Sequence, residues 1–379
     1  MPKAPVLSCA VSTWNVGAAD MGTTSKAAGV DGWLRVTGNA PADLHIVALQ
    51  EVLDINSPLS YLSPLSTFLE EQTLDGLGEA TSEGAAVWEA ALRTYLPSHV
   101  LVARKQLVGI ILFVFVGKQH AASCTSARVT QLGTGPLGAG NKGAVAASLG
   151  IYGSTACFVC SHLAAGSKGP SGRNKDMETL RDGLAFPPTE ADSSPSTATT
   201  APPTSLEAHD IVIWCGDLNY RLEMKDEDAR ALAAQSDWST MLAADELRQN
   251  AASGGVWAAF EEGKIGFPPT YKYDLNSDEY DTSSKRRAPA WTDRILWKRG
   301  SQVATSSYTR HELRESDHRP VSALLQLTVK PLPSAGRLRR PSLAAPNPCA
   351  ALSNCLRTIF KCCKPTPPEG YEELVSKSE

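Results

Sequence analysis

Residues 210–223 read DIVIWCGDLNYRLE. Ile211 to Cys215 form a continuous apolar, partly β-branched run, the pattern of a strand buried on both faces. The run stops abruptly at Gly216 and Asp217, and Asn219 and Arg221 follow at once. A buried strand that delivers a carboxylate, an amide and a guanidinium within five positions calls for a reason, because such groups are costly to bury without partners. Strand ends are also where layered folds place ligands and reacting groups.

The same pattern recurs along the chain. Apolar runs lie in VLSCAVSTWNVG, LHIVALQEV, HVLVARKQ, GIILFVFVG, KGAVAASLGIYG, TACFVCSHL, RAPAWTDRILWK and PVSALLQLTV, all within residues 6–330. Helical spacing appears in EGAAVWEAALRTYL and in DEDARALAAQSDWSTMLAADELRQNA. Many buried strands with interspersed helices indicate a layered α/β or α+β domain. Residues 186–205, FPPTEADSSPSTATTAPPTS, carry too little apolar surface to offset chain entropy and read as a disordered insertion in that domain. Residues 331–379 form a separate tail.

Composition narrows the function. The chain has 379 residues, 42% hydrophobic and 20% charged, with a net charge of −4. No global positive field draws it onto nucleic acid, so none is expected as a partner, and an anion site must be a local cluster. Cys157 and Cys160 form a C-x-x-C, but alternation sends them to opposite faces of a strand, which favours buried thiols in a reducing compartment over a metal or redox pair. The start, MPKAPVLSCAVSTW, lacks the charged and apolar regions of a secretory signal, so none is expected. LVGIILFVFVG is too short to span a bilayer.

Several runs end in residues suited to one site. STWNVG ends in Asn15, VALQEV in Gln50 and Glu51, CFVCSHL in His162, and GDLNYR in Asp217, Asn219 and Arg221. WTDRIL carries Asp293 and Arg294, and SDHRPV carries Asp317 and His318. The ordered set, with NKGAVAASL, SHLAAG, RNKD, PPTYKYD and KRRAPAWTDRILWK, resembles the inositol polyphosphate 5-phosphatase catalytic domain, a branch of the deoxyribonuclease I-like and exonuclease III-like metal-dependent phosphoesterases. The match spans residues 10–328. It implies a four-layer α/β sandwich: two packed mixed β-sheets flanked by helices.

It also implies Mg²⁺-dependent hydrolysis of the 5-phosphate from inositol phosphates or phosphoinositides that bear a neighbouring 4-phosphate. By that resemblance Asn15 and Glu51 hold the metal, and Asp317 stands close enough to reach its shell. Asp217 orients or deprotonates the attacking water, Asn219 steadies it, and His162 donates to the developing charge. His318 contacts the phosphoryl oxygens and is oriented by Asp293. Among the residues of TYKYD and SKRRAP, the resemblance selects Tyr271, Lys272 and Arg286 to clamp the 4-phosphate. Asn141, Lys142, Arg173 and Asn174 line the same cleft. Arg221 and Arg294 serve equally well as acid buttresses or phosphate ligands, and Trp14, Trp214, Trp291 and Trp297 read as core. Thr292 stands where the family usually has Cys, and Gly166 where it often has His. Related nucleases or phosphodiesterases, and a catalytically silent inositide-binding module, are the rival readings.

The tail stretch NPCAALSNCLRTIFKCCKP mixes Cys349, Cys355, Cys362 and Cys363 with basic and apolar residues. That pattern suggests S-acylation at a cytoplasmic membrane face, hence a peripherally membrane-associated protein, with a short docked helix or a metal-binding Cys tract as the alternatives.

Overall fold

The computed structural model describes residues 4–17, 29–34, 41–53, 82–166, 169–187 and 203–332. In chain order these form β1 (Val6–Asn15), α1 (Val30–Leu34), β2 (Leu44–Gln50), α2 (Glu83–Tyr95), β3 (His99–Leu107), β4 (Ile110–Gly117), β5 (Cys124–Gly133), β6 (Gly143–Ile151), β7 (Ser154–His162) and α3 (Ser171–Gly183). There follow β8 (Ile211–Asp217), α4 (Asp226–Ala234), α5 (Trp238–Ala243), α6 (Glu246–Ala252), β9 (Phe260–Glu262), β10 (Asp293–Lys298), β11 (Val303–Arg310) and β12 (Val321–Thr328).

The strands make two six-stranded sheets, ordered β11-β12-β1-β2-β4-β3 and β5-β6-β7-β8-β10-β9. Each holds one parallel pair at its centre, β1 with β2 and β7 with β8, flanked by antiparallel neighbours. The expected pair of mixed sheets is therefore present. Alternation sorts the side chains. Cys9, Val11, Ile46, Ala48, Phe158, Cys160, Ile213 and Cys215 share one apolar cluster fed by strands of both sheets. Trp14, Val47, Leu49, Phe113 and Phe115 turn outward to meet Trp33 of α1 and Trp88 of α2. Val159, Val212 and Trp214 turn outward on the second sheet, among Met177 and Leu180 of α3. Cys157 belongs to this outer cluster and Cys160 to the inner one, as alternation requires.

Three strands, β5, β9 and β11, were not legible in the sequence; β9 is only three residues long. All three lie at sheet edges, and β11 is largely exposed or half-buried, so its polar side chains hide the strand signal. The long helical stretch after Asp226 is three short helices. Ser236 adopts a left-handed conformation (φ 57°), and Asp237 and Asp245 cap new helices by accepting from the Thr240 and Arg248 amides. RNKD, read only as a cleft motif, lies in α3. The flanks of the expected insertion are ordered: Ala185 bridges Ser205, and the Phe186 amide donates to Thr204 O (2.8 Å). Residues 188–202, and the tail with its four cysteines, lie outside the described residues. No described helix is long and apolar enough to cross a membrane.

Charges buried in the fold are matched. Arg294, fully buried, donates to both carboxylate oxygens of Asp245 (3.1 and 3.0 Å) and to Glu262 (2.6 Å). Of the two roles open to it, the buttress is the one present. His45 is not matched in this way. It is 1% exposed, stacks edge-on against His99 at 4.8 Å, and neither ring nitrogen has a hydrogen-bond partner among the described residues. Burial, aided by the neighbouring His99, pushes its pKa down from 6.5 to about 3. The folded state therefore resists a proton that the unfolded chain takes up, so His45 costs stability as pH falls from about 6.5 toward 3, by up to ~1.4 kcal/mol per pH unit. Urea denaturation at pH 7.5 and 5.5 should show an acid loss that His45→Phe reduces. An identical loss in both proteins would place the acid sensitivity elsewhere.

Candidate active site

Strand register builds the site. His162 at the end of β7 pairs with Asp217 at the end of β8, and Asp217 pairs with Asp293 at the start of antiparallel β10. Side chains paired across neighbouring strands share a face. His162 and Asp217 follow Cys160 and Cys215 by two residues, so the row faces the space between the sheets. The other sheet delivers Asn15 opposite Gln50, with Glu51 next. The close approach of β7 and β8 needs Gly216: its φ is 135°, and a Cβ there would lie 2.0 Å from Ser161 O.

Asp217 is the centre. Its Oδ2 accepts from Asn15 Nδ2 (2.9 Å) and lies 3.3 Å from His162 Nε2 and 3.8 Å from His318 Nε2. Its Oδ1 accepts from the Asn219 amide (3.0 Å). Burial alone would raise this carboxyl, but the His318 and His162 charges and Lys142 outweigh it and hold Asp217 well below the usual carboxylate range. It is an ionised acceptor that orients a donor strongly and takes a proton weakly.

His318 is held by Asp293, whose Oδ2 lies 3.0 Å from its Nδ1. The same oxygen accepts from Thr270 Oγ1 (2.6 Å) and Thr292 Oγ1 (2.8 Å). The departure at Thr292 thus contributes a hydroxyl donor to the pair. Burial works against a charged ring, yet Asp293 and Asp217 push the His318 pKa up to about 10. Asp217, Asp293 and His318 are close enough to be read as a metal cage. The His318 Nδ1, however, is already engaged by Asp293.

Asn15 and Glu51 make a better metal pair. Both offer hard oxygen, and the Glu51 carboxylate remains 28% exposed at a left-handed residue (φ 54°), 3.7 Å from His162 Nε2. Asn15 Oδ1 accepts from the Gly17 amide (3.0 Å), and Ser316 Oγ donates to Asn15 O (2.7 Å). Asp317 is ion-paired to Lys272 Nζ at 2.6 Å. Lys142 Nζ reaches His162 Nε2, and burial lowers its pKa. Asn141 Oδ1 is buried without a hydrogen-bond partner among the described residues. Asn219 Nδ2 donates to Leu163 O, and its Oδ1 accepts from Arg221 Nη2 (2.6 Å).

The basic residues divide into two groups. The Tyr271 ring lies 4.5 Å from the His318 ring, with the Arg221 guanidinium over its face at 4.3 Å. Lys272 follows at once, and Arg287 Nη1 reaches Tyr271 Oη at 3.4 Å. Arg286, the residue chosen from sequence, turns instead to Asp226 (3.1 Å) and is largely exposed. Two adjacent arginines in a loop look alike in sequence; the left-handed φ of 39° at Arg286 helps set which way each one points. Arg173 also departs from its expected role. It is 2% exposed, and its guanidinium donates to Gly166 O (2.9 Å), Gly169 O (2.8 Å) and Glu246 (2.6 Å). It closes the Gly-rich loop from within. Asn174 accepts from Tyr220 Oη (2.6 Å), which in turn accepts from Trp257 Nε1 (2.8 Å).

Known proteins resemble this chain in sequence and in fold. Residues 12–324 match the model of the endonuclease/exonuclease/phosphatase family 2. Synaptojanin-1 of Homo sapiens is 34% identical over 321 residues, covering 76% of this chain and 18% of its own. Type I inositol polyphosphate 5-phosphatase 5 of Arabidopsis thaliana is 40% identical over 253 residues, covering 64% and 46%. The chain spans less than half the length of these curated relatives. Among solved structures, the inositol polyphosphate 5-phosphatase domain of SPsynaptojanin, in complex with inositol (1,4)-bisphosphate and calcium ion, superposes with a TM-score of 0.72 at 30% identity and 87% coverage of both chains. The chain belongs to the inositol polyphosphate 5-phosphatase family, within the endonuclease/exonuclease/phosphatase group.

Proposed function

We propose that this chain hydrolyses the 5-phosphate of inositol phosphates or phosphoinositides that carry a 4-phosphate. The observation that carries this reading is the placement of Tyr271 beside His318. A ring-phosphate clamp of Tyr271, Lys272 and Arg287 then adjoins the reacting row of His162, Asp217 and Asp293. A phosphodiester backbone offers no second monoester for that clamp.

Asn15 and Glu51 would hold Mg²⁺, whose charge would polarise the phosphoryl group and stabilise the leaving oxygen. Asp217 accepts a hydrogen bond from the attacking water and fixes its line of approach. Its low basicity suits it to orientation. His318, kept charged by Asp293, donates to the phosphoryl oxygens as their charge grows. His162 and Lys142 add donors on the other side. Lys272 must leave Asp317 to bind a ring phosphate, and that exchange would free the Asp317 carboxylate toward the metal shell. Peripheral membrane contact is supported by Leu137, a fully exposed apolar side chain on the loop that also carries Asn141 and Lys142. A cytoplasmic setting and acylation of the tail cysteines extend the same reading.

Asp217→Asn should keep the fold and lose ~10²–10⁴-fold in kcat, since the amide cannot serve as an anionic acceptor. A folded variant within a few-fold of wild type would remove Asp217 from the reaction. Glu51→Gln should shift the Mg²⁺ activation midpoint upward, because a neutral amide is a poorer ligand for a hard dication. An unmoved midpoint would take Glu51 out of the metal shell. Lys272→Met should lower kcat/KM about ten- to a hundredfold on a 4,5-phosphorylated substrate, from loss of one charge-assisted hydrogen bond. Equal losses on a substrate lacking the 4-phosphate would assign Lys272 to the scissile group or to the fold.

A further inference from the structure

Arg230 lies on α4, outside the row of reacting residues, and its side chain is 22% exposed. Its guanidinium holds three backbone carbonyls of one loop: Nη1 donates to Tyr280 O (2.9 Å), and Nη2 donates to Asp281 O (2.9 Å) and Arg287 O (3.2 Å). Its Nε donates to Asp226 Oδ1 one helical turn earlier (2.6 Å), which fixes the plane of the fork. A rigid guanidinium can serve carbonyls from both ends of a loop at once, whereas an ammonium radiates from a single point.

The loop so held carries the basic residues of the clamp. Asp281 ties its two sides together from inside. The Asp281 amide donates to Lys272 O (2.9 Å), Oδ2 accepts from the Arg287 amide (2.8 Å), and Oδ1 accepts from the Ser283 amide (3.0 Å). Arg230 grips this knot from behind through Asp281 O and Arg287 O. Lys272 and Arg287 are thus registered against each other by Asp281, and against α4 by Arg230. The Arg230 side chain itself donates to none of the reacting residues in the hydrogen bonds it makes.

We infer that Arg230 is a positioning residue for substrate selectivity: it sets where Arg287 and Lys272 stand relative to the reacting row, and so the enzyme's preference for a 4-phosphate. This inference rests on the reading of Tyr271, Lys272 and Arg287 as the ring-phosphate clamp. A clamp displaced by a fraction of an ångström still leaves Asp217, Asp293 and His318 in place, so the cost falls on binding of the 4-phosphate and not on the chemical step.

The test compares Arg230→Met, Arg230→Lys and Arg287→Met in the full chain, on inositol 1,4,5-trisphosphate and on inositol 1,5-bisphosphate. Arg230→Met should raise KM for the trisphosphate about tenfold, with kcat near wild type and kcat/KM for the bisphosphate little changed. Arg230→Lys should fall short of restoring KM, since one ammonium cannot replace the fork; it also serves as the readable variant if Arg230→Met does not fold. An unchanged KM, or a parallel loss on both substrates, overturns the inference. If Arg287→Met erases the preference for the trisphosphate while the Arg230 variants keep it, the inference alone falls. If Arg287→Met also keeps it, the clamp reading fails and the inference fails with it.

Discussion

An ionised carboxylate in a dry sheet interior survives only when donors and cations surround it, and Asp217 sets that requirement for the whole molecule. Its partners come from distant parts of the chain: Asn15 from β1, His162 from β7, His318 from the segment before β12, and the amide of Asn219 from its own turn. Loss of any of them leaves a buried charge short of compensation. The two sheets must therefore dock with their strand ends level, and the registers of β7, β8 and β10 bring that about.

The support behind that row is apolar and rigid. Trp14, adjacent to Asn15, packs edge-on against Trp33 (5.6 Å) and Trp88 (6.2 Å), and its Nε1 donates to the carbonyl of His318 (3.1 Å). One indole thus anchors an outer core cluster and holds the backbone of a charged histidine. On the second sheet, Trp214 Nε1 donates to Ser161 Oγ (2.8 Å), next to His162. Polar tips on large apolar bodies let the core specify the position of the site.

Much of this was readable from the chain. Buried strands announce themselves by unbroken apolar runs, and the polar residues that end them stand out because burial penalises them. That logic singles out Asn15, Glu51, His162, Asp217, Asp293 and His318 as candidates, and the fold brings their side chains together. It failed where the signal depends on side-chain direction. Arg286 and Arg287 are adjacent and chemically identical, and only the backbone turn shows which of them meets Tyr271. Arg173 carries a charge, which reads as a surface phosphate ligand, yet two loop carbonyls and the Glu246 carboxylate of α6 engage it in the interior. Edge strands β5, β9 and β11 escaped because β9 is three residues long and the side chains of β5 and β11 are mostly half-buried or exposed, which breaks the apolar run. Arg230 was invisible for a related reason, since its partners are backbone carbonyls that carry no sequence signature.

In the reaction proposed above, the clamp beside His318 presents one phosphate of the ring, the one at position 5, to Asp217. Following inositol 1,4,5-trisphosphate by ³¹P resonance in the presence of the chain and Mg²⁺ decides whether this is so. The 5-phosphate resonance alone should disappear, with inositol 1,4-bisphosphate and inorganic phosphate as the products. Loss of the 1- or 4-phosphate signal, or an unchanged spectrum with a folded, Mg²⁺-supplied protein, would rule out that placement of the 5-phosphate.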